Sequence, residues 1–259
     1  ATTPVNEAIA ALDGAIAEAT AVAGSTNLDE LNAAIRTMNA AITMTQNLVF
    51  HGGALASLED GEYIVYYEDA EGNKHYLANE KLSKRAVISD SPMVYDITLG
   101  NTNGYVSYAY YLDMNGSRLS NPTNDDDQIV QVEPEGSNNY NGNRVWDSQV
   151  LYVNAEGKYA IRSTNCVPGS GWKSDCFITV SEEESRVDVV GQNVDLSDAL
   201  YMWNVVKASE ANIAFELTID EYKYTTLFLN YAVSVPAGVK AYAVSGIEND
   251  VLALDEVGN

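Results

Sequence analysis

The segment GKYAIRSTNCVPGSGWKSDC, residues 157–176, combines the two features that decide the predicted fold. It begins with a glycine and a short β-type run around Tyr159, and it continues as a loop rich in Gly, Pro and Ser. Cys166 and Cys176 bracket this loop, which carries Trp172, and they are the only two cysteines in the 259-residue chain. A strand followed by a long loop of this kind predicts a β domain that presents a binding surface.

The glycine-plus-aromatic start of this strand occurs at two earlier places in the chain. The three opening segments are Gly61-Glu62-Tyr63, Gly104-Tyr105-Val106 and Gly157-Lys158-Tyr159. Three further apolar segments are candidates for closing strands, at residues 94–97, 129–132 and 202–205. Three opening and three closing strands at this spacing predict a β-trefoil. The alternative is a β-sandwich whose turns resemble a repeat.

Before the repeats, the apolar residues recur at steps of three and four and predict two helices. They are Val5, Ile9, Leu12 and Ile16, followed by Leu28, Leu31, Ile35, Met38 and Ile42. Asn27 and Glu30 have the spacing of a capping box that begins the second helix. The short link predicts an antiparallel hairpin, and two helices alone bury so little that a third surface is expected to cover them.

The chain is predicted to be α+β and mainly β, with three domains. These are a helical hairpin at 1–52, a β-trefoil-like domain at 58–208 and a small, sandwich-like β-sheet module at 209–259. The last domain begins where Ile213, Phe215, Leu217 and Ile219 alternate with polar residues, as in a half-buried strand. About fifty residues are too few for two complete sheets, so this module either pairs with other parts of the chain or belongs to a larger one.

The charge excludes several classes of partner. The chain has 14 basic and 37 acidic residues, a formal net charge of −23, which repels nucleic-acid backbones and anionic membrane surfaces. It contains no run of 18 apolar residues, so no membrane insertion is predicted. An export signal, if the protein had one, was removed before Ala1. The alternative is that the negative charge has no role in partner selection and only keeps a secreted protein soluble.

The ten-residue spacing of Cys166 and Cys176 favours a local disulfide in an exported protein. Closing so short a loop would stabilise the fold by roughly 2–3 kcal/mol. The alternative is two reduced, buried thiols. A metal site is disfavoured, because neither His51 nor His75 lies at a ligand-like spacing from the cysteines.

Three stretches of the chain carry a resemblance to known proteins. Residues 224–257, YTTLFLNYAVSVPAGVKAYAVSGIENDVLALDEV, with Asn230 where the pattern has proline, resemble a module near the C-termini of secreted and surface proteins of Bacteroidales. GKYAIRSTNC together with ALYMWNVVKAS, residues 199–209, resembles ricin-like β-trefoil regions. The Ala-rich hairpin is similar to helical spacers between their domains. The resemblance implies a secreted or cell-surface protein, further domains in the same polypeptide and glycan-directed neighbours. Of the three closing segments only the third carries the Trp of the Gln-x-Trp motif, at Trp203.

The cysteine-bracketed loop is the first candidate for ligand binding. Trp172 is a ring on which a sugar could stack, and a crosslinked loop loses little freedom on binding. Asn165, Lys173 and Asp175 would supply hydrogen bonds beside it. The alternative is a Trp that folds back over its own loop.

Two further polar loops have alternative interpretations. Tyr140 and Trp146 lie in or next to an Asn-rich loop, which is either a second binding loop or a long surface connection. Asp125, Asp126 and Asp127 form an acidic loop that could bind calcium, although the EF-hand spacing is missing and a solvated turn is the alternative.

No catalytic motif is present. The chain lacks a Gly-x-Ser-x-Gly elbow, a phosphate loop and His-Glu-x-x-His, so it is expected not to be an enzyme, and calcium is the one cofactor considered. The favoured hypothesis is an exported binding module that recognises a glycan or a host or cell-surface protein. The alternatives are a structural spacer or adhesin segment, and an accessory part of a glycoside hydrolase whose active site lies elsewhere.

Overall fold

The computed structural model describes residues 3–50, 52–80, 84–102, 104–120, 130–135, 147–164, 177–181, 186–190, 203–211, 230–231, 233–235, 237–248 and 251–257. The chain divides into two compact units, Ala1–Thr225 and Thr226–Asn259. Among the described residues, the first unit contains two helices and a large antiparallel sheet, and the second contains a two-stranded sheet. The prediction of a mainly β chain with an N-terminal helical hairpin and a small C-terminal sheet is confirmed.

The helices are α1, Thr3–Val22, and α2, Leu28–Gln46. Asn27 caps α2: its side-chain oxygen accepts a hydrogen bond from the backbone N–H of Asp29 at 3.0 Å, and its side-chain nitrogen donates to Glu30 at 3.1 Å. Both hydrogen bonds are made by the Asn27 side chain, which satisfies one free N–H group of the first turn and explains why α2 begins after a link of only five residues.

The helices pack through small side chains rather than through the predicted apolar residues. Ala8 and Ala15 on α1 and Ala34 and Ala41 on α2 are buried. Alanines at a seven-residue spacing bring two helix backbones close together along one seam. As a consequence, the larger apolar residues beside the seam are left outside it.

The strands of the first unit are antiparallel throughout the described residues. They are β1 Val49–Phe50, β2 Gly53–Leu55, β3 Gly61–Glu68, β4 Lys74–Glu80, β5 Arg85–Ser89, β6 Val94–Leu99, β7 Tyr110–Met114, β8 Ser117–Ser120, β9 Gln131–Pro134, β10 Gln149–Val153, β11 Tyr159–Ser163, β12 Phe177–Ser181, β13 Arg186–Val190 and β14 Asn204–Lys207.

Six of the described strands close a ring. β3 pairs with β6, β6 with β7, β7 with β10, and β10 with β11. An isolated β-bridge between Tyr159 and Trp203, the residue directly before β14, joins β11 to β14. β14 pairs with β3, which closes the ring. The remaining strands form the hairpins β4–β5, β8–β9 and β12–β13, and β5 contacts both β9 and β13. A six-stranded barrel capped by three hairpins is a β-trefoil.

The register shows the pseudo-threefold repeat directly. The opening tyrosines pair with the closing strands as Tyr63–Tyr95, Tyr110–Gln149 and Tyr159–Trp203. Two residues further inward, a second ring is buried, formed by Val65, Leu112, Ile161, Ile97, Leu151 and Val205. We number the repeats one (residues 61–99), two (110–153) and three (159–207). The barrel core is therefore built from equivalent positions of the three repeats.

The predicted limits of repeat two are wrong. Its opening strand begins at Tyr110 rather than at Gly104, and residues 131–134 form β9, which pairs with β8 as the second strand of a hairpin. The closing strand is β10. Val130 and Val132 are buried in the core, and a buried hairpin strand has the same apolar pattern as a closing strand.

A second cluster of buried residues lies on the outer side of β10 and β11. It contains Phe50, Leu55, Val106, Ala109, Val150, Tyr152, Ala160 and Phe177. The connection after α2 covers this side: β2 pairs with β10, and Tyr152 donates its hydroxyl proton to the carbonyl oxygen of Asn47 at 3.1 Å. The N-terminal segment is therefore part of the trefoil's packing.

The second unit is a hairpin of β15, Ala241–Glu248, and β16, Val251–Val257, with an irregularity between Val244 and Gly246. In neither unit do the described residues include a helix with the length and apolar character needed to cross a membrane.

Candidate functional site

Each repeat carries one cross-strand pair three residues after its opening tyrosine. The pairs are Tyr66–Tyr76 in repeat one, Asp113–Arg118 in repeat two and Arg162–Phe177 in repeat three. Because side chains alternate along a strand, a residue three positions from an inward tyrosine lies on the outer side of the barrel. These pairs occupy equivalent outer positions, and their chemistry can be compared directly.

In repeat one the pair is aromatic. The rings of Tyr66 and Tyr76 are 5.7 Å apart and inclined by 48°, and the Lys74 ammonium lies 4.8 Å from the Tyr66 ring centroid. Tyr76 is buried, whereas Tyr66 is partly exposed. Burial raises the pKa of both hydroxyls, and the neighbouring Glu68 carboxylate raises that of Tyr66 further. Both tyrosines therefore stay protonated and able to donate hydrogen bonds.

Polar side chains surround the aromatic pair. Asn204 on β14 is the register partner of Tyr66, and its side-chain oxygen accepts a hydrogen bond from Lys158 at 2.6 Å. The same ammonium lies 3.9 Å from the Glu68 carboxylate. We call this surface the tyrosine face; it consists of Tyr66, Glu68, Lys74, Tyr76, Lys158 and Asn204. It combines an aromatic ring with an amide, a carboxylate and two ammonium groups.

The turn beside the tyrosine face is held by Asp69. Its carboxylate accepts hydrogen bonds from the backbone N–H groups of Glu71 and Asn73, at 3.0 and 2.7 Å, and lies 3.0 Å from His75 Nε2. The hydrogen bonds from His75 and then from Asn73 lower the pKa of Asp69. The His75 ring stacks on Tyr67 with centroids 4.8 Å apart. His75 therefore ties the hairpin to the core.

In repeat two the equivalent pair is closed by an ion pair. Arg118 donates from Nε and Nη2 to the two carboxylate oxygens of Asp113, both at 2.8 Å. The Arg118 guanidinium also lies over the Tyr111 ring, 3.6 Å from its centroid, and so covers one face of that tyrosine. A bidentate pair that is also stacked leaves little for a ligand to contact.

In repeat three the pair is buried. Arg162 is 1% exposed and Phe177 is fully buried. Phe50 covers both: its ring lies 4.0 Å from the Arg162 guanidinium and 6.1 Å from the Phe177 ring. Among the three equivalent pairs, only that of repeat one leaves an aromatic side chain partly open to solvent.

The sequence-predicted site residues lie outside the described residues. This applies to Asn165, Cys166, Trp172, Lys173, Asp175 and Cys176, to Tyr140 and Trp146, and to Asp125, Asp126 and Asp127. Within the parts of the chain that the structure does describe, no three His, Cys, Asp or Glu side chains are grouped as metal ligands.

Trp203 is described, and it belongs to the core. It is fully buried, and its indole N–H donates to the carbonyl oxygen of Ile178 at 3.0 Å. The sequence analysis did not identify the tyrosine face. The available signal was the run GEYIVYYE, whose aromatic residues occupy both sides of one strand.

No protein-family model matches the chain, and no curated protein does. Among solved structures it is similar to a mosquitocidal holotoxin, with 13% identity and a TM-score of 0.40 over 59% of this chain and 18% of that one. It is also similar to a GlcNAcα1-4Gal-releasing endo-β-galactosidase from Clostridium perfringens, with 12% identity and a TM-score of 0.39 over 56% and 32%. A third similarity is to Cry35Ab1, with 12% identity and a TM-score of 0.38 over 63% and 40%. The chain spans less than half of each of these structures, and similarities this distant carry no argument about its function.

Proposed function

We propose that this chain is an exported, non-catalytic binding module that recognises a neutral glycan through the tyrosine face. The observation that carries the proposal is the Tyr66–Tyr76 pair, in which the Tyr66 ring is partly exposed. It occupies an outer position that repeat two closes with an ion pair and repeat three buries under Phe50.

A sugar ring has apolar C–H faces and a rim of hydroxyls that both donate and accept hydrogen bonds. A partly exposed tyrosine ring fits the apolar face. Around it, Lys74 and Lys158 offer donors, Glu68 offers an acceptor and the Asn204 amide offers both. The tyrosine face therefore matches a ligand rich in hydroxyls.

Charge favours a neutral glycan over an acidic one. The formal net charge of −23 repels sulfated or carboxylated sugars at long range. Within the tyrosine face, the Glu68 carboxylate lies beside the Lys158 ammonium, so the local field is mixed. A ligand without charge meets neither long-range repulsion nor a strong local attraction.

The tyrosine face is built mainly on strands, so little ordering accompanies binding. Tyr66 and Glu68 are on β3, Lys74 and Tyr76 are on β4, and Asn204 begins β14. Side chains held by paired strands lose less freedom on binding than side chains on loops. The resemblance of residues 157–166, 199–209 and 224–257 to exported proteins supports placing this module in a secreted or cell-surface protein.

The test is a glycan array probed with the full chain, followed by calorimetric titration of the glycans that bind. Tyr66→Ala is expected to weaken binding about tenfold, the loss of one stacking contact. The matched control is Tyr111→Ala, which removes a tyrosine from the equivalent hairpin of repeat two and is expected to leave affinity unchanged. Absence of any bound glycan, with the fold intact, would contradict the proposal.

The cysteine-bracketed loop gives a competing location for the same function. If Trp172→Ala abolishes glycan binding while Tyr66→Ala does not, the ligand binds at that loop and the tyrosine face is not the site. Hydrolysis of generic glycosides by the full chain would overturn the non-catalytic part of the proposal. A spacer or adhesin segment is the second candidate, since along the chain a helical hairpin precedes the trefoil and a small β unit follows it.

A further inference from the structure

The helical hairpin exposes large apolar side chains on both of its helices. Ile9 and Ile16 on α1 are 51% and 53% exposed, and Leu28, Ile35 and Ile42 on α2 are 73%, 56% and 41% exposed. Single exposed apolar residues are common on protein surfaces, but five of them between residues 9 and 42, seven apart on each helix, mark an interaction surface.

These five residues lie on one side of the hairpin. Ile9 and Ile16 each follow a buried seam alanine by one residue on α1, and Ile35 and Ile42 do the same on α2. One residue turns an α-helix by about 100°. In two antiparallel helices that face each other, the same rotation from the seam points to the same side. We call this surface the isoleucine face; it consists of Ile9, Ile16, Leu28, Ile35 and Ile42.

The trefoil contacts the hairpin from a different direction. Tyr108 donates a hydrogen bond to the Glu7 carboxylate at 2.8 Å. Glu7 precedes Ile9 by two residues, so the two side chains are separated by about 200° around α1. The isoleucine face therefore points away from this contact, and within the described residues it remains exposed.

We propose that a second copy of this chain covers the isoleucine face, so that two hairpins form a symmetric four-helix bundle. On α1 the exposed residues are seven apart, at 9 and 16, and on α2 they are seven apart at 28, 35 and 42. A seven-residue apolar repeat is the pattern with which helices interdigitate at a shallow crossing angle. A two-fold axis that lies in the plane of the interface, perpendicular to the helices, places each isoleucine row against the same row of the second copy.

Charge favours a second copy over a basic partner. The two helices carry six charged residues, Glu7, Asp13, Glu18, Asp29, Glu30 and Arg36. By helix rotation, only Asp13 lies within about 60° of the isoleucine face. In a chain with 37 acidic residues, this surface is thus nearly free of charge. Two copies that meet on this surface bring almost no like charges into direct contact, so only the long-range repulsion between their net charges opposes association. A basic partner finds almost no acidic side chain on this surface to pair with.

The area matches a reversible dimer. Covering the five side chains removes roughly 500 Å² of surface per copy, or on the order of 1,000 Å² for the pair, which is where specific interfaces begin. Half-buried Leu12 and Leu31 lie between the two rows and add to the contact. An interface of this size predicts a monomer–dimer equilibrium that depends on concentration.

The test is sedimentation velocity of the full chain over a range of concentrations. The wild type is expected to change from the monomer to the dimer mass as concentration rises. The double variant Ile16→Asp/Ile35→Asp is expected to remain monomeric at every concentration, with an unchanged far-ultraviolet circular dichroism spectrum. Dimerisation would bury the introduced carboxylates against apolar side chains of the second copy, which costs too much free energy.

The matched control is Ala17→Asp/Ala40→Asp, which adds the same charge to the same helices at exposed positions outside the isoleucine face. It is expected to dimerise as the wild type does. A wild type that is monomeric throughout overturns the proposal and assigns the face to another segment or partner. A dimer that persists in the Ile16→Asp/Ile35→Asp variant also overturns it, because the interface then lies elsewhere.

Discussion

Repeats one and three place different side chains at the same outer position of the barrel. The comparison shows how equivalent positions of one fold come to differ in their exposure to solvent. In repeat one, Tyr66 and Tyr76 remain beside polar groups, with Tyr66 partly exposed. In repeat three, Arg162 and Phe177 are buried under Phe50. The barrel interior is built alike in both repeats, from opening tyrosines and a ring of aliphatic residues. Equivalent cores therefore do not imply equivalent surfaces.

A segment outside the repeats causes this difference in exposure. Phe50 and Leu55 come from the connection after α2, and they join the cluster on the outer side of β10 and β11. An apolar cluster of this kind stabilises the fold and removes the site. Among the described residues, no such segment covers the outer pair of repeat one, and the Tyr66 ring stays partly exposed.

The largest expected effect is the loss of the cover over repeat three. Phe50→Ala should lower the free energy of unfolding by about 3 kcal/mol, because it removes a buried ring and leaves a cavity beside a buried arginine. The neighbouring Val49 is 63% exposed, and Val49→Ala should change it by less than about 0.5 kcal/mol. Urea unfolding of both variants is the measurement. Equal stabilities would mean that the segment does not cover repeat three.

An intermediate effect is expected in repeat two. Arg118→Ala leaves the Asp113 carboxylate without its bidentate partner, and it should lower the free energy of unfolding by about 2 kcal/mol. Lys240→Ala removes an ion pair to Glu256 in which both side chains are more than half exposed, and it should cost less than about 0.5 kcal/mol. Glycan affinity should be unaffected in both variants. A loss of affinity in Arg118→Ala would show that repeat two also binds.

The smallest effect is expected in repeat one, at acid pH. Hydrogen bonds from His75 and Asn73 lower the pKa of Asp69 in the folded state, while the unfolded side chain titrates at about 3.9. The stability that Asp69 contributes is therefore present above about pH 4 and is lost as the pH falls below it. Asp69→Asn should flatten this part of the stability–pH curve, measured by urea unfolding at several acid pH values. An unchanged curve would show that Asp69 is not coupled to folding.

Local patterns predicted much of the fold. The apolar steps of three and four gave both helices, and Asn27 with Glu30 marked the start of the second. The glycine-plus-aromatic openers identified repeats one and three, because a strand that begins in a barrel needs a turn followed by an inward aromatic. Repeat two was misplaced because a buried hairpin strand and a closing strand share the same apolar pattern.

The candidate site was not predicted from the sequence, and the reason is physical. Tyr66, Tyr76 and Asn204 come from three strands, and Asn204 is 138 residues from Tyr66 in the chain. Their proximity depends on strand register, which no local pattern of tyrosines expresses. A tyrosine-rich strand alone is equally consistent with a buried core.

The sequence alone determined the periodicities, the order of elements and the strongly acidic character of this protein, because each depends on residues near one another in the chain. The tertiary structure decided which of three equivalent outer pairs stays open and which apolar row of the hairpin is buried. The first outcome depends on a distant segment, because Phe50 contacts Arg162 and Phe177 across more than a hundred residues of chain. The second depends on packing, because the small alanines between the helices allow the two backbones to approach closely.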